Sequence, residues 1–247
     1  LGTCDIWEAT VDGKKVVSIT PLDDYPNSES WDSQASISCD GQVLYFASNR
    51  EGGFGGTDIW VSYLEEDGLW SQPKNLGPSI NTSADEEAPF ITNDGQTLYF
   101  SSTGHIGMGE QDLFFAQMGP NGTFSTPRNL GPPVNSSYRE LGFFLSADGQ
   151  TGYFASNREG GYGGMDIYKF QLSEQLQSDP ITFVQGTVKD SAFQLPVPTV
   201  VHIPGRAPIG TDNKGRFFVC LPANDTLQVR VEHFGFSDYS NHFAIPY

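Results

Sequence analysis

The sequence predicts an all-β chain, in which four-stranded blades of a β-propeller are followed by a small β-sandwich. Three observations carry this expectation. A block recurs at a fixed period: DGQVLYFASNREGGFGGTDIW starts at Asp40, DGQTLYFSSTGHIGMGEQDLF at Asp94 and DGQTGYFASNREGGYGGMDIY at Asp148, a spacing of 54 residues each time. Self-similarity at such a period means one supersecondary unit copied so that neighbours share a core. Turn formers abound, with 28 Gly and 16 Pro among 247 residues, and no long stretch carries a helical period. Beyond residue 175 the repeat stops, while apolar–polar alternation continues.

Each repeat divides into four extended segments. In the second unit they are Gln34–Ser38, Val43–Ser48, Asp58–Tyr63 and Leu69–Lys74. Asp40-Gly41 and Asp67-Gly68 read as two-residue hairpin turns of type I′, which need a positive φ that Gly supplies. Asp94-Gly95 and Asn121-Gly122 repeat the pair of signals in the third unit. The likeness extends past the turns, since LWSQPKNLGPSIN from Leu69 is matched by TFSTPRNLGPPVN from Thr123. Four antiparallel strands per period joined by tight turns describe one propeller blade. Residues 1–175 hold half a blade, two full blades and most of a fourth, with further blades expected upstream of Leu1. A short helical stretch at Leu172–Gln177 and the polar run SEQLQSDP separate this part from residues 181–247. There, strands are expected at Val197–Ile203, Arg216–Leu221 and Leu227–Glu232, with a turn at Asp212–Gly215. A domain this small needs a neighbour to lean on.

With 30 acidic and 13 basic residues, the formal net charge is −17. That surface repels phosphate backbones and anionic headgroups, so neither nucleic acid nor a membrane surface is an expected partner. No run approaches the ~20 apolar residues of a membrane span. The three cysteines, Cys4, Cys39 and Cys220, cannot all pair internally and match no zinc spacing. A Cys4–Cys39 bridge is one option, and Cys220, in an alternating strand, reads as a small buried hydrophobe.

Through DGQ-x-LYFASNR, GGFGGTDIW and GGYGGMDIY, residues 1–172 resemble TolB-type, WD-like β-propeller repeats. Residues 181–247 resemble the carboxypeptidase-regulatory-like domain, a transthyretin-like β-sandwich, through Gly186-Thr187-Val188, Asp190, Pro196, Thr211-Asp212, Gly215, Phe217 and His233-Phe234-Gly235-Phe236. The order of the two is similar to the middle of multidomain periplasmic proteins of Bacteroidetes-type bacteria. In these a tetratricopeptide segment precedes and an OmpA-like peptidoglycan-binding domain follows. The resemblance implies an outer-membrane-associated factor of type IX protein secretion. Envelope proteins and secretion-complex subunits are the implied partners, with peptidoglycan reached only through a domain not in this chain.

Candidate site residues follow from the repeat. Phe54, Met108 and Tyr162 stand at the centre of the Gly-rich loop, 54 residues apart, and read either as a ring of apolar side chains for a partner or as blade-to-blade packing. Asp58, Asp112 and Asp166 read as turn braces accepting loop N–H groups, because a calcium site needs several oxygens converging on one ion. Arg50 and Arg158 share a position that the third unit fills with Gly104. They pair with Asp58 and Asp166 in the bracing reading, and grip an anionic ligand in the sharper one. Asp85-Glu86-Glu87 reads as a solvated connection between blades. The four histidines lack ligand spacing, so no metal is expected and no cofactor either. No nucleophile elbow, Walker loop or dinucleotide fingerprint is present. The expectation is therefore a scaffold and not an enzyme. The alternatives are a propeller hydrolase or lyase acting on glycans or peptides, with carboxylates drawn from different blades, and a receptor for a muropeptide or glycan.

Overall fold

The structure, a computed structural model, describes residues 4–22, 25–65, 67–178, 180–204, 208–222 and 226–245. It divides into two units, Leu1–Ser178 and Asp179–Tyr247, both built from antiparallel sheets.

The first unit is a row of four meanders. Strands β1 (Trp7–Asp12) and β2 (Lys15–Pro21) form the first sheet. The second is β3 (Asp32–Ile37), β4 (Val43–Ser48), β5 (Asp58–Tyr63) and β6 (Lys74–Asn75), in that order. The third repeats it with β7 (Glu86–Ile91), β8 (Thr97–Ser102), β9 (Asp112–Gln117) and β10 (Arg128–Asn129). The fourth has β11 (Glu140–Leu145), β12 (Thr151–Ser156) and β13 (Asp166–Gln171), followed by one 3-10 turn, Glu174–Leu176. The middle two strands of each repeat lie where the sequence puts them. The fourth strand is shorter than the expected Leu69–Lys74, reduced to Lys74–Asn75 plus an isolated bridge between Leu64 and Trp70.

Successive sheets pack face to face through three clusters. Leu44, Phe46 and Trp60 meet Ile6 and Leu22, which flank the two strands of the first sheet. Tyr45, Ile59 and Val61 meet Ile91, Leu98 and Phe100 of the third. Tyr99, Leu113 and Phe115 meet Phe143, Leu145 and Phe154 of the fourth. This explains why VLYFAS and TLYFSS are buried at almost every residue, whereas TGYFAS in β12 alternates between buried and half-buried. A strand covered on both sides has no polar face to keep in water.

Two local features differ from expectation. The Asp40-Gly41 turn is not type I′, because only Gly41 takes a positive φ, 73°. Gly41 N–H bonds Ser38 O, and the Asp40 carboxylate accepts from Ser38 Oγ at 2.6 Å and Gln42 N at 3.1 Å, giving a wider loop built on an Asp-stabilised turn. The first strand of each repeat also carries a bulge that the sequence does not announce. Gln34, Ala88 and Gly142 have φ of 53°, 49° and 68° where the register slips. The side chain of Gln34 accepts the freed Ala88 N–H at 2.8 Å, tying one bulge to the next.

In the second unit, β14 (Ile181–Thr187) pairs with β17 (Arg216–Pro222). A second sheet runs β16 (Ile209–Gly210), β15 (Val200–His202), β18 (Thr226–Val231), β19 (Tyr239–Ala244). The two sheets share one core that includes Val201, Phe217, Val219, Leu227 and Val229. The expected strand at Val197–Ile203 contracts to three residues. At the Asp212–Gly215 turn, Gly215 N–H bonds Asp212 O at 2.8 Å.

Candidate interaction surface

The Gly-rich loops sit between the second and third strands of each repeat, and a single carboxylate shapes each one. Asp58 accepts from Phe54 N at 2.5 Å and Gly55 N at 3.2 Å. Asp112 accepts from Met108 N and Gly109 N at 2.5 and 3.2 Å, and Asp166 from Tyr162 N and Gly163 N at 2.9 and 3.1 Å. The loop glycines follow from this clamp. A Cβ on Gly53, Gly107 or Gly161 would overlap the clamping carboxylate, and one on Gly55 or Gly109 would overlap the backbone carbonyl of Ala84 or Tyr138 in the next repeat. Gly56 N–H does bond Ala84 O at 3.0 Å, and Glu110 N–H bonds Tyr138 O at 3.3 Å. The loop backbone is thus pinned from two sides in the second and third repeats, and by Asp166 alone in the fourth.

On that pinned backbone the central side chains point out. Phe54 is 50% exposed, Met108 49% and Tyr162 fully, and Ile106 beside Met108 is 96% exposed. Their backbone N–H groups are held while their side chains are left to solvent.

The arginines do not pair with the loop aspartates. Arg50 bonds Asp32 Oδ1 at 2.5 Å, and Arg158 bonds Glu140 Oε1 at 2.9 Å. Both acids open the first strand of their own repeat and are 0% exposed. Each guanidinium also lies over two rings, Phe46 and Trp60 for Arg50, Phe154 and Tyr168 for Arg158. Each bonds a backbone carbonyl of the preceding connection, Pro26 O or Val134 O. The expected partners fail because Asp58 and Asp166 have their oxygens turned to the loop N–H groups.

The third repeat fills the same slot differently. A Cβ at Gly104 would overlap the Thr82 side chain, and the next residue, His105, takes the place of the guanidinium. Its ring contacts Phe100 and Phe114, and Nε2 lies 2.8 Å from Ile80 O, the carbonyl equivalent to Pro26 O and Val134 O. Glu86 below it is fully buried and accepts from Thr82 N, Thr82 Oγ1 and Ser102 Oγ. The acidic run is therefore not a solvated connection at its centre, since Glu86 is a core residue. Its neighbours Asp85 and Glu87 line a recess of about 240 Å³ with Thr103, Glu110, Gln111 and Arg139. There Glu87 Oε2 accepts from Gln111 Nε2 at 3.0 Å and lies 3.4 Å from Arg139 Nη2. Sequence reasoning missed these buried acids; the signal was an acid kept at 32, 86 and 140 while its type varied.

Cys4 carries a free thiol, whereas Cys39 and Cys220 are in the disulfide form. This corrects the reading of Cys220 as a plain hydrophobe, and it fits an oxidising, extracytoplasmic compartment. Among the described residues no helix is long and apolar enough to cross a membrane, and no group of three or more His, Cys, Asp or Glu is placed to hold a metal ion.

No protein-family model and no curated protein matches the chain. Solved structures similar to it include TolB from Acinetobacter baumannii, 16% identical with TM-score 0.44. The match covers 84% of this chain but 46% of TolB, so the chain spans under half of that structure's length. An endo-arabinase from Bacteroides thetaiotaomicron is 15% identical, with 86% and 93% of the two chains covered and TM-score 0.40. A periplasmic gluconolactonase from Pseudomonas aeruginosa is 12% identical, with 86% and 73% covered and TM-score 0.34. Two of these three neighbours are enzymes, and the expectation that the chain is not an enzyme is withdrawn on that finding.

Proposed function

We propose that the first unit is a propeller-type scaffold of the cell envelope that captures a protein partner through its Gly-rich rim loops. One observation carries this reading. Three loops 54 residues apart hold their backbones rigid through a buried or half-buried aspartate, yet leave Phe54, Met108 and Tyr162 half or fully exposed. Rigid backbone with exposed apolar side chains lowers the entropy lost on binding and supplies the anchors that dominate interface energy. In this reading the face-to-face row of sheets is part of a radial array, and the second unit is a β-sandwich. The resemblance of the repeats supports a setting in type IX secretion, with peptidoglycan anchorage through a separate domain. Arg50 and Arg158 serve this surface by bracing the connections beneath the loops, with the capture itself left to the apolar residues.

The test is a double substitution, Phe54→Ala with Tyr162→Ala, in the protein expressed in its native envelope. Capture of envelope subunits should fall sharply while thermal unfolding stays within the ±0.5 kcal/mol typical of surface changes. Unchanged capture, or a stability loss of a few kcal/mol, would count against the reading.

A glycan-acting reading is favoured by one place, the recess where Asp85, Glu87 and Glu110 converge beside Arg139. The three acids come from the third repeat and Arg139 from the fourth, and a pair of carboxylates in one recess is what glycoside hydrolysis needs. Turnover of arabinan or muropeptide substrates that disappears in Glu87→Gln and Glu110→Gln would replace the scaffold reading with this one.

A further inference from the structure

The Gly-rich loop of the third repeat differs from its sisters in residues that the fold does not require. Ile106 stands where the second and fourth repeats have Gly52 and Gly160, and Glu110 where they have Gly56 and Gly164. Neither side chain packs inward, since Ile106 is 96% exposed and Glu110 is exposed as well. At the base of the loop, Glu87, Gln111 and Arg139 hold positions that the other repeats fill with Ser33 and Leu141, Thr57 and Met165, and Trp31 and Asp85. The sister loops close the same aspartate clamp without any of these side chains. This loop is flanked by a repeat on each side, and its Glu110 N–H bonds Tyr138 O of the next one at 3.3 Å.

These residues meet around the recess of about 240 Å³. Two rim loops reach it. Thr57, at the end of the Phe54 loop, donates its N–H to Asp85 Oδ1 at 2.9 Å, while Thr103 and Glu110 lie at the two ends of the loop that carries Ile106 and Met108. The charges of the recess do not balance, because three carboxylates face one guanidinium. Arg139 is already engaged, by Glu87 Oε2 and by Gln111 Oε1. Among the described residues no donor meets Asp85 Oδ2, Glu87 Oε1 or the Glu110 carboxylate. The two loops and the connections beneath them, residues 49–57, 82–87, 103–111 and 136–139, hold one further Lys or Arg, Arg50, and it is turned to Asp32.

We propose, resting on the capture reading above, that this recess seats a basic side chain, arginine or lysine, of the captured protein, with an apolar residue of the same segment packed on Ile106 and Met108. Charge complementarity decides the occupant, since an added cation answers the unmatched carboxylates and an acidic segment is repelled. The cation is an organic one. Among the described residues no three acids stand close enough to hold a metal ion, whereas the N–H donors of a guanidinium or ammonium on a long stem reach carboxylates set further apart. A neutral sugar leaves the imbalance unanswered. The exposed isoleucine supplies the apolar contact that a lone surface ion pair lacks, and an ion pair without such shelter contributes little.

The test is an NMR titration of the isotope-labelled protein with two amidated peptides, Gly-Ser-Leu-Xaa-Leu-Ser-Gly, in which Xaa is arginine or its neutral isostere citrulline. The arginine peptide should shift the amide signals of Thr103, Glu110 and Gln111. It should bind about tenfold more tightly than the citrulline peptide, as the loss of charge-assisted hydrogen bonds implies, and weaken as salt is raised. Glu110→Gln and Ile106→Ser should each weaken the arginine peptide about fivefold with unchanged urea unfolding, because neither side chain holds the loop. Equal affinity for the two peptides, no binding of the arginine peptide up to about 1 mM, or shifts confined to residues away from the recess would overturn the proposal. So would arabinan turnover that Glu110→Gln abolishes, which gives the recess to a glycan. The capture reading fails separately: arginine-selective binding at the recess, beside envelope capture untouched by Phe54→Ala with Tyr162→Ala, would sink that reading and leave the recess with its preference for a basic side chain.

Discussion

At the residue scale the buried acids matter most, because burying a carboxylate is costly unless it is compensated. Asp32 and Glu140 have a guanidinium each, and Glu86 has three neutral donors with a histidine above. The two kinds of slot should respond differently to the same change. Arg158→Ala leaves Glu140 buried without its cation and should cost about 3–5 kcal/mol, whereas Glu86→Gln removes no ion pair and should cost about 1–2 kcal/mol through poorer hydrogen bonds. Urea unfolding of the two variants measures the gap, and equal losses would show that the guanidinium does not compensate the acid. The arginines were legible in the sequence as a repeated pair with one exception at Gly104. Their partners were not. The guanidinium crosses to the start of the first strand, 18 residues back in sequence for both Arg50 and Arg158, and nothing local marks that contact. The substitution of His105 for an arginine one position earlier was illegible for the same reason: alignment by period pairs Gly104 with Arg50, while space pairs His105 with it.

At the scale of elements, the loop and the strand it launches form one device. Replacing Phe54, whose side chain is free, and replacing Gly55, where an added Cβ is blocked, should have opposite profiles, although the residues are neighbours. Gly55→Ala drives a methyl group into the Ala84 carbonyl across the sheet junction and should cost roughly 1–3 kcal/mol, as overpacking does. Thermal unfolding of Gly55→Ala against Gly164→Ala checks this, because a Cβ at Gly164 meets nothing within 4 Å in the fourth repeat. Strands with tight bounds, Val43–Ser48 and Asp58–Tyr63, were readable to the residue, since the turn residues and the repeat agree on them. The bulges at Gln34 and Ala88 were hidden because a left-handed non-glycine residue is stabilised by its neighbour's side chain and leaves no compositional mark. The hairpin type was misread for a related reason. Asp40 spends its carboxylate on the loop's own donors and so holds a longer turn than Asp-Gly alone suggests.

For the whole first unit, the row of sheets buries one tyrosine from each of the second and third repeats at its junctions, and this couples stability to alkaline pH. Burial first, then the neighbouring Tyr63, pushes the Tyr45 phenol from its ordinary 10.0 up to about 12. Tyr99, whose hydroxyl donates to Leu176 O at 3.1 Å, is raised as well, by burial and then by the charge of Asp94. A phenol whose folded value is raised releases its proton more readily when unfolded. Its contribution to stability is therefore whole below about pH 10 and drains away as pH climbs from 10 towards 12. Each tyrosine sits in a different junction, Tyr45 between the second and third sheets and Tyr99 between the third and fourth, so losing either proton loosens two sheets at once. Tyr45→Phe removes the ionisation and keeps the ring, so chemical denaturation between pH 9 and about pH 12 should show a shallower decline for this variant than for the parent. Tyr99→Phe should flatten the curve too, from a lower start, because Leu176 O then loses its donor. If both variants decline as steeply as the parent, alkaline loss of stability arises from general charge repulsion on a chain already at −17, and the junction tyrosines take no part in it.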